Sequence, residues 1–235
     1  MISSILVPIV VLGILGFLAF AFFQRGRDGF DLTPRGLLRL YLYIASLAAV
    51  IVFAAGLASV TNAAIASAFG AELVYGGSQA GPVRAWPQCP PGAVGCVEPT
   101  PEQQAQQLEQ QRRQEAEQRD RRRAEDLIRG GTFTVFGAIF WLAHWAARRG
   151  MIGPEERGSP LWRAYLMLGT AIFGLTTVIA LPTGVYQALA GALLPVTEFG
   201  SYRQGADSLG LGLVALGAWL IYLRLAVREL RPVAA

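Results

Sequence analysis

Few residues in this chain could do chemistry. The only histidine, His144, stands between Trp141 and Trp145, and the only cysteines are Cys89 and Cys96. An imidazole nitrogen can ligate a haem iron or a chlorin magnesium. Haem b in a membrane bundle commonly takes two axial histidines, and the chain has one. Against cofactor binding at His144 stands a place in the aromatic belt of a lipid–water boundary, which fits its Trp neighbours better. Cys89 and Cys96 enclose a Pro- and Gly-rich stretch, Pro90 to Gly95. Their spacing is not the Cys-x-x-Cys of thiol redox catalysts. Two thiols and a distant imidazole are too few for zinc. A local disulfide is the expected state if their loop faces an oxidising compartment.

The remaining polar candidates within apolar segments are hydroxyls: Ser46, Thr170, Thr176 and Thr177. They could line a path for a neutral or lipid-like solute, but such hydroxyls more often bond their own helix backbone or a neighbouring helix. No ionisable residue lies in the middle of an apolar segment, where proton-coupled transport would need one. The sequence contains no Gly-rich phosphate loop, Ser-His-Asp arrangement, paired catalytic carboxylates or His-Glu-x-x-His pattern. General acid–base catalysis therefore lacks candidates. We expect no enzyme, catalytic residue, metal or cofactor.

The elements that carry these residues follow from composition. At 53% hydrophobic and 15% charged residues, the chain leans toward the membrane class. Charge is segregated: residues 98–129 hold half of the acidic groups and many of the basic ones. All 20 basic residues are Arg, and they either flank apolar segments or alternate with carboxylates. That pattern speaks for membrane topology and a solvated helix, and against nucleic acid.

Ile2 to Phe23 is apolar, is followed by Arg25 and Arg27, and is long enough to span a bilayer. A cleaved signal peptide would carry its basic residues first, so residues 1–30 read as a retained anchor with the N terminus outside. A second span opens at Thr33-Pro34 and runs to about Phe69; at 1.5 Å per residue it is about 50 Å long, more than the hydrocarbon core needs. Thr61 and Asn62 suggest that its last turns leave the lipid. Residues 70–100 are irregular and extramembrane. Pro101 to Arg129 is a polar helix about 40 Å long in solvent, with i,i+4 pairs such as Glu109–Arg113. Gly130-Gly131 marks a joint before the third span, Thr132 to Ala147. The fourth starts at Trp162-Arg163-Ala164-Tyr165, and Pro182 leaves open whether Thr183 to Leu194 is a kinked continuation or a separate interfacial helix. The fifth is Leu209 to Leu223.

With the N terminus outside, the inner face carries eleven Arg against five carboxylates and the outer face nine against eleven. The positive-inside rule supports that orientation, with a cytoplasmic C terminus. Arg39, Tyr41, Trp141, Trp145, Arg163, Tyr165, Trp219 and Tyr222 then read as membrane-interface anchors.

These anchors also form an internal repeat. Arg39-Leu40-Tyr41-Leu42 aligns with Arg163-Ala164-Tyr165-Leu166, and Trp141-Leu142-Ala143-His144 with Trp219-Leu220-Ile221-Tyr222. Each unit is a pair of spans, so the two units have the same orientation and form a parallel repeat. The organisation expected is an anchor at 1–30, the first helix of repeat one at 31–70, an external loop and charged helix at 71–130, the second helix of repeat one at 131–150, and repeat two at 160–235. The fold class is thus an all-α integral membrane protein of about five transmembrane helices with an external charged helix.

Arg39 to Tyr43 and Trp141 to Trp145 resemble an uncharacterised bacterial membrane domain family, a domain of unknown function. Its members carry an Arg-x-Tyr-Leu-Tyr start and a Trp-Leu-Leu-His-Trp-like end. Here Ala143 replaces a Leu, and in the second copy Met167 and Tyr222 replace a Tyr and the His. The resemblance covers roughly residues 33–230 without the charged insertion, and implies a four-helix membrane core and no known chemistry. The expected role is a non-catalytic accessory or scaffold subunit in the bacterial plasma membrane, in contact with lipid and other membrane subunits. The alternatives are a small transporter or channel and a pigment or haem binder through His144.

Overall fold

The structure, a computed structural model, describes residues 33–76, 100–151, 159–193 and 205–230. These form five helices: α1 (Pro34–Phe69), α2 (Ala71–Tyr75), α3 (Pro101–Met151), α4 (Pro160–Leu193) and α5 (Ser208–Leu230). All but α2 are long and apolar enough to cross a membrane, as an all-α membrane protein requires. The Ile2–Phe23 anchor and the Cys89–Cys96 disulfide lie outside the described residues.

Three helices start with the same device, a hydroxyl residue followed by proline. Thr33 Oγ1 accepts from Gly36 N at 3.3 Å, and Ser159 Oγ accepts from Trp162 N at 3.2 Å. At α3 the exchange is reciprocal: Thr100 Oγ1 accepts from Gln103 N and Gln103 Oε1 accepts from Thr100 N, a capping box. Gly70 ends α1 with φ +102°, a conformation that L side chains rarely adopt, and turns the chain into α2.

One expectation changes, and two points that the sequence left open are decided. Gly130-Gly131 is no joint, because α3 runs 51 residues without interruption. The two glycines do different work: Gly130 lies against α1, where an added Cβ would stand 2.9 Å from Gly56 O and Val60 N, whereas Gly131 faces open space. Packing along α1 carries the backbone through both. Of the two readings left open for the stretch after Pro182, the structure takes the continuation: α4 runs through Pro182 to Leu193. Asn62 is buried and bonded to α5. Thr61 bonds its own backbone at Leu57 O.

Packing is by pairs. α1 lies along α3, and α4 along α5; α1 also packs on α5, and less on α4, so it joins the two pairs. Glycines allow the close approaches. A Cβ on Gly137 would stand 2.6 Å from Phe53 N, one on Gly184 2.6 Å from Leu209 N, and one on Gly212 2.7 Å from Leu181 N. The main buried cluster includes Tyr43 and Leu47 of α1, Leu166 and Phe173 of α4 and Ala215 of α5.

Candidate functional site

The start of α1, the end of α3, the start of α4 and the end of α5 meet at one end of the bundle. Here Arg148 of α3 reaches over three rings. Its guanidinium carbon is 5.1 Å from the centroid of Tyr43, 5.7 Å from Trp162 and 5.2 Å from Tyr165. A cation among electron-rich faces is attracted most strongly where water is excluded. Arg148 Nη1 is buried without a hydrogen-bond partner, so the rings, rather than a carboxylate, hold this charge.

The rings hold one another. Trp162 stacks on Tyr165 at 5.6 Å with planes 17° apart, and Tyr43 tilts against Tyr165 at 5.5 Å. Tyr165 and Tyr222 share a hydroxyl hydrogen bond of 2.8 Å, and Trp162 Nε1 donates to Glu229 Oε1 at 2.9 Å. These two bonds tie the start of α4 to the end of α5. The arrangement supplies cation–π and hydrogen-bond cohesion between helices, placing a charge where three of them converge.

The expected anchors separate into two groups. Arg39 and Arg163 are exposed, Tyr41 is 57% exposed, and Trp141 and Trp145 are each 37% exposed. Tyr165 and Tyr222 are instead 5% and 6% exposed, inside the bundle. Trp219 is half-buried and lies against Gly174, whose added Cβ would stand 2.9 Å from its Nε1. His144 contacts the Tyr41 ring at 5.9 Å, and its Nδ1 lies 2.7 Å from Phe140 O. A carbonyl only accepts, so Nδ1 carries the proton and Nε2 is left as an acceptor. Thr170, Thr176 and Thr177 each donate to the carbonyl four residues earlier. Ser46 Oγ is fully buried and without a partner.

Arg148, Tyr43, Trp162 and Glu229 were not singled out as a site by sequence reasoning, although a signal existed. Gly130, Thr134, Gly137, His144 and Arg148 follow the three-and-four spacing of one helical face. The same phase that puts Gly130 and Gly137 against α1 turns Arg148 inward and leaves Arg149 over the Trp145 ring, 4.1 Å away.

At the opposite end Asn62 bridges α1 to the start of α5: Nδ2 donates to Asp207 O at 2.6 Å and Oδ1 accepts from Gly210 N at 3.0 Å. This satisfies one of the amides that a helix start leaves open. Arg119 of α3 pairs with Glu72 of α2 at 3.4 Å, and Ala206 N donates to Leu73 O at 2.9 Å. Burial, with the Asp126 carboxylate adding to it, holds the Tyr75 phenol above its usual range. Burial also raises the Asp207 carboxyl, against the lowering effect of the Ser208 amide.

A DUF5671 domain, a domain of unknown function, is found at residues 105–218. The matched segment begins in the polar half of α3, takes in His144, Arg148 and Tyr165, and ends in α5 just before Trp219. It leaves out Arg39 to Tyr43. No curated protein and no solved structure matches the chain.

Proposed function

We propose that the chain is a non-catalytic accessory or scaffold subunit of a membrane protein complex in the bacterial plasma membrane. The observation that carries this reading is α3. Its backbone packs on α1 and α2 alone to any extent, and it leaves Phe133, Val135, Phe136, Ile139 and Phe140 exposed. Towards its N terminus it continues as a polar rod whose side chains from Pro101 to Gln106 are all exposed. Such a helix offers a lipid-depth face and a solvent arm on one rigid axis, suited to contact another subunit both within and above the bilayer.

The core reads as a parallel repeat, α1 with the apolar half of α3 and α4 with α5. Tyr41 touches His144 and Tyr165 touches Tyr222, and the sequence alignment makes these two partnerships equivalent. The alignment carries Gly56 to Ala180 and Thr134 to Gly212. The close approach of Gly56 to Thr134 therefore has its counterpart one residue along, at Gly212 and Leu181. The arginines at one end favour a cytoplasmic placement of that end, with the N terminus outside. A solute path along Thr170, Thr176 and Thr177 has less support, because their hydroxyls are engaged by their own helix.

Photo-crosslinking residues placed at Gln111, Gln114, Val135 and Ile139 test the proposal in intact cells. Adducts larger by a second, different polypeptide are expected from both halves of α3. A monodisperse monomer in mild detergent, with lipid adducts alone from all four positions, would sink it.

A further inference from the structure

Besides Arg35 and Arg228, which have Asp31 and Glu229 within four residues, each of the four long helices carries one exposed arginine at the end where Arg148 sits: Arg39 on α1, Arg149 on α3, Arg163 on α4 and Arg224 on α5. None has a carboxylate within four residues on either side. None forms an ion pair among the described residues. The polar rod is arranged differently, since every arginine from Arg112 to Arg129 has a carboxylate within four residues, and Arg113 and Arg129 are seen paired with Glu109 and Asp126. Exposed guanidinium groups without an ion pair among the described residues, at the end of membrane-crossing helices and with Arg149 beside the half-open Trp145 ring, stand at the level where lipid headgroups lie.

We propose that Arg39, Arg149, Arg163 and Arg224 form a binding surface for the phosphate groups of anionic phospholipids in the leaflet at that end of the bundle. A guanidinium fork matches two phosphate oxygens at once. Four of them, each on its own helix, suit a lipid surface, which presents a phosphate to each. Arg148 takes no part, because its charge is turned inward over the three rings. Each arginine at an anionic surface strengthens attachment about fivefold.

The full chain, purified from detergent containing equal amounts of phosphatidylglycerol and phosphatidylcholine, is examined for retained lipid by native mass spectrometry. Phosphatidylglycerol is expected to be enriched. The enrichment should fall at least about tenfold when Arg39, Arg149, Arg163 and Arg224 are all changed to Gln. It should persist when Arg112, Arg113, Arg121 and Arg122 on the rod are changed to Gln, an equal loss of charge. Single Arg→Gln variants, expected to lose preference severalfold with unchanged helical content, keep binding apart from folding. Equal retention of the two lipids overturns the proposal, as does an equal loss in the rod variant. Displacement of phosphatidylglycerol by inorganic phosphate also overturns it, because the surface would then be a site for a free anion.

Discussion

In the proposed repeat the Tyr41–His144 pair and the Tyr165–Tyr222 pair occupy corresponding places on the two helix pairs, yet they live in different surroundings. Tyr41 is more than half exposed and its contact with His144 is a tilted approach of rings. Tyr165 and Tyr222 are closed off and share a short hydroxyl bond. The difference comes from the neighbour each has. Tyr43 and Arg148, both from the first helix pair, lie over Tyr165 and Trp162 of the second, and nothing described lies over Tyr41 and His144 in return. Similar residues at similar spacing therefore act as a boundary contact in one place and as core in the other.

The comparison breaks most completely if a pair is pried apart. Gly56→Ala would drive its methyl into the Thr134 amide nitrogen and to 2.8 Å from Gly130 O, backbone atoms that cannot step aside. Gly212→Ala does the same to the second pair at Leu181. Each should cost about 3 kcal/mol, the upper end for overpacking, read as a lowered midpoint of unfolding in mixed detergent. If one pair tolerates its alanine, the two are not packed alike.

Arg148→Ala removes the cover that distinguishes the pairs. Three ring contacts outweigh the cost of an Nη1 with no hydrogen bond, so the net loss should be about 1–2 kcal/mol. Trp162 emission should shift, while the contact of Tyr41 with His144 is kept. Unchanged emission would show that the guanidinium does not hold the two pairs together.

A hydroxyl deletion sharpens the contrast. Tyr222→Phe leaves the buried Tyr165 hydroxyl without its partner and should cost about 1.5 kcal/mol, and adding Tyr165→Phe should cost little more. Tyr41→Phe, at an exposed ring, should be near neutral. Equal effects at Tyr41 and Tyr222 would erase the distinction.

The smallest effect is expected at the opposite end, where burial raises the Asp207 carboxyl. A folded-state pKa above the unfolded one means that the native state holds the proton more tightly. Stability from this group is therefore full below the ordinary carboxylate range and is lost as pH rises through the raised value. Asp207→Asn should flatten that fall and slightly stabilise the protein at neutral pH, as followed by unfolding midpoints across the acid range. A steeper fall in the variant would contradict the assignment.

Much of the fold was legible because lipid imposes strong rules. The Thr33-Pro34 start is visible as a helix signal, since a hydroxyl cap and a ring-fixed φ act within a few residues. The joint at Gly130-Gly131 misled for the same reason. Local propensity marks glycine as a breaker, but one of these two was needed to let α1 approach. At Asn62 the polarity near a helix end is legible, but only the neighbouring amide of Gly210 shows what the side chain serves.

By itself the sequence determined that long apolar runs must be helices, because unpaired backbone groups are too costly in hydrocarbon, and that the arginines gather at their ends. Only the tertiary structure decided which of two adjacent arginines turns inward, which tyrosines become core, and that the rod and the third span are one helix. Those outcomes depend on which helix lies against which, and residues more than a hundred positions apart, such as Tyr43 and Arg148, carry no local mark of the contact they will make.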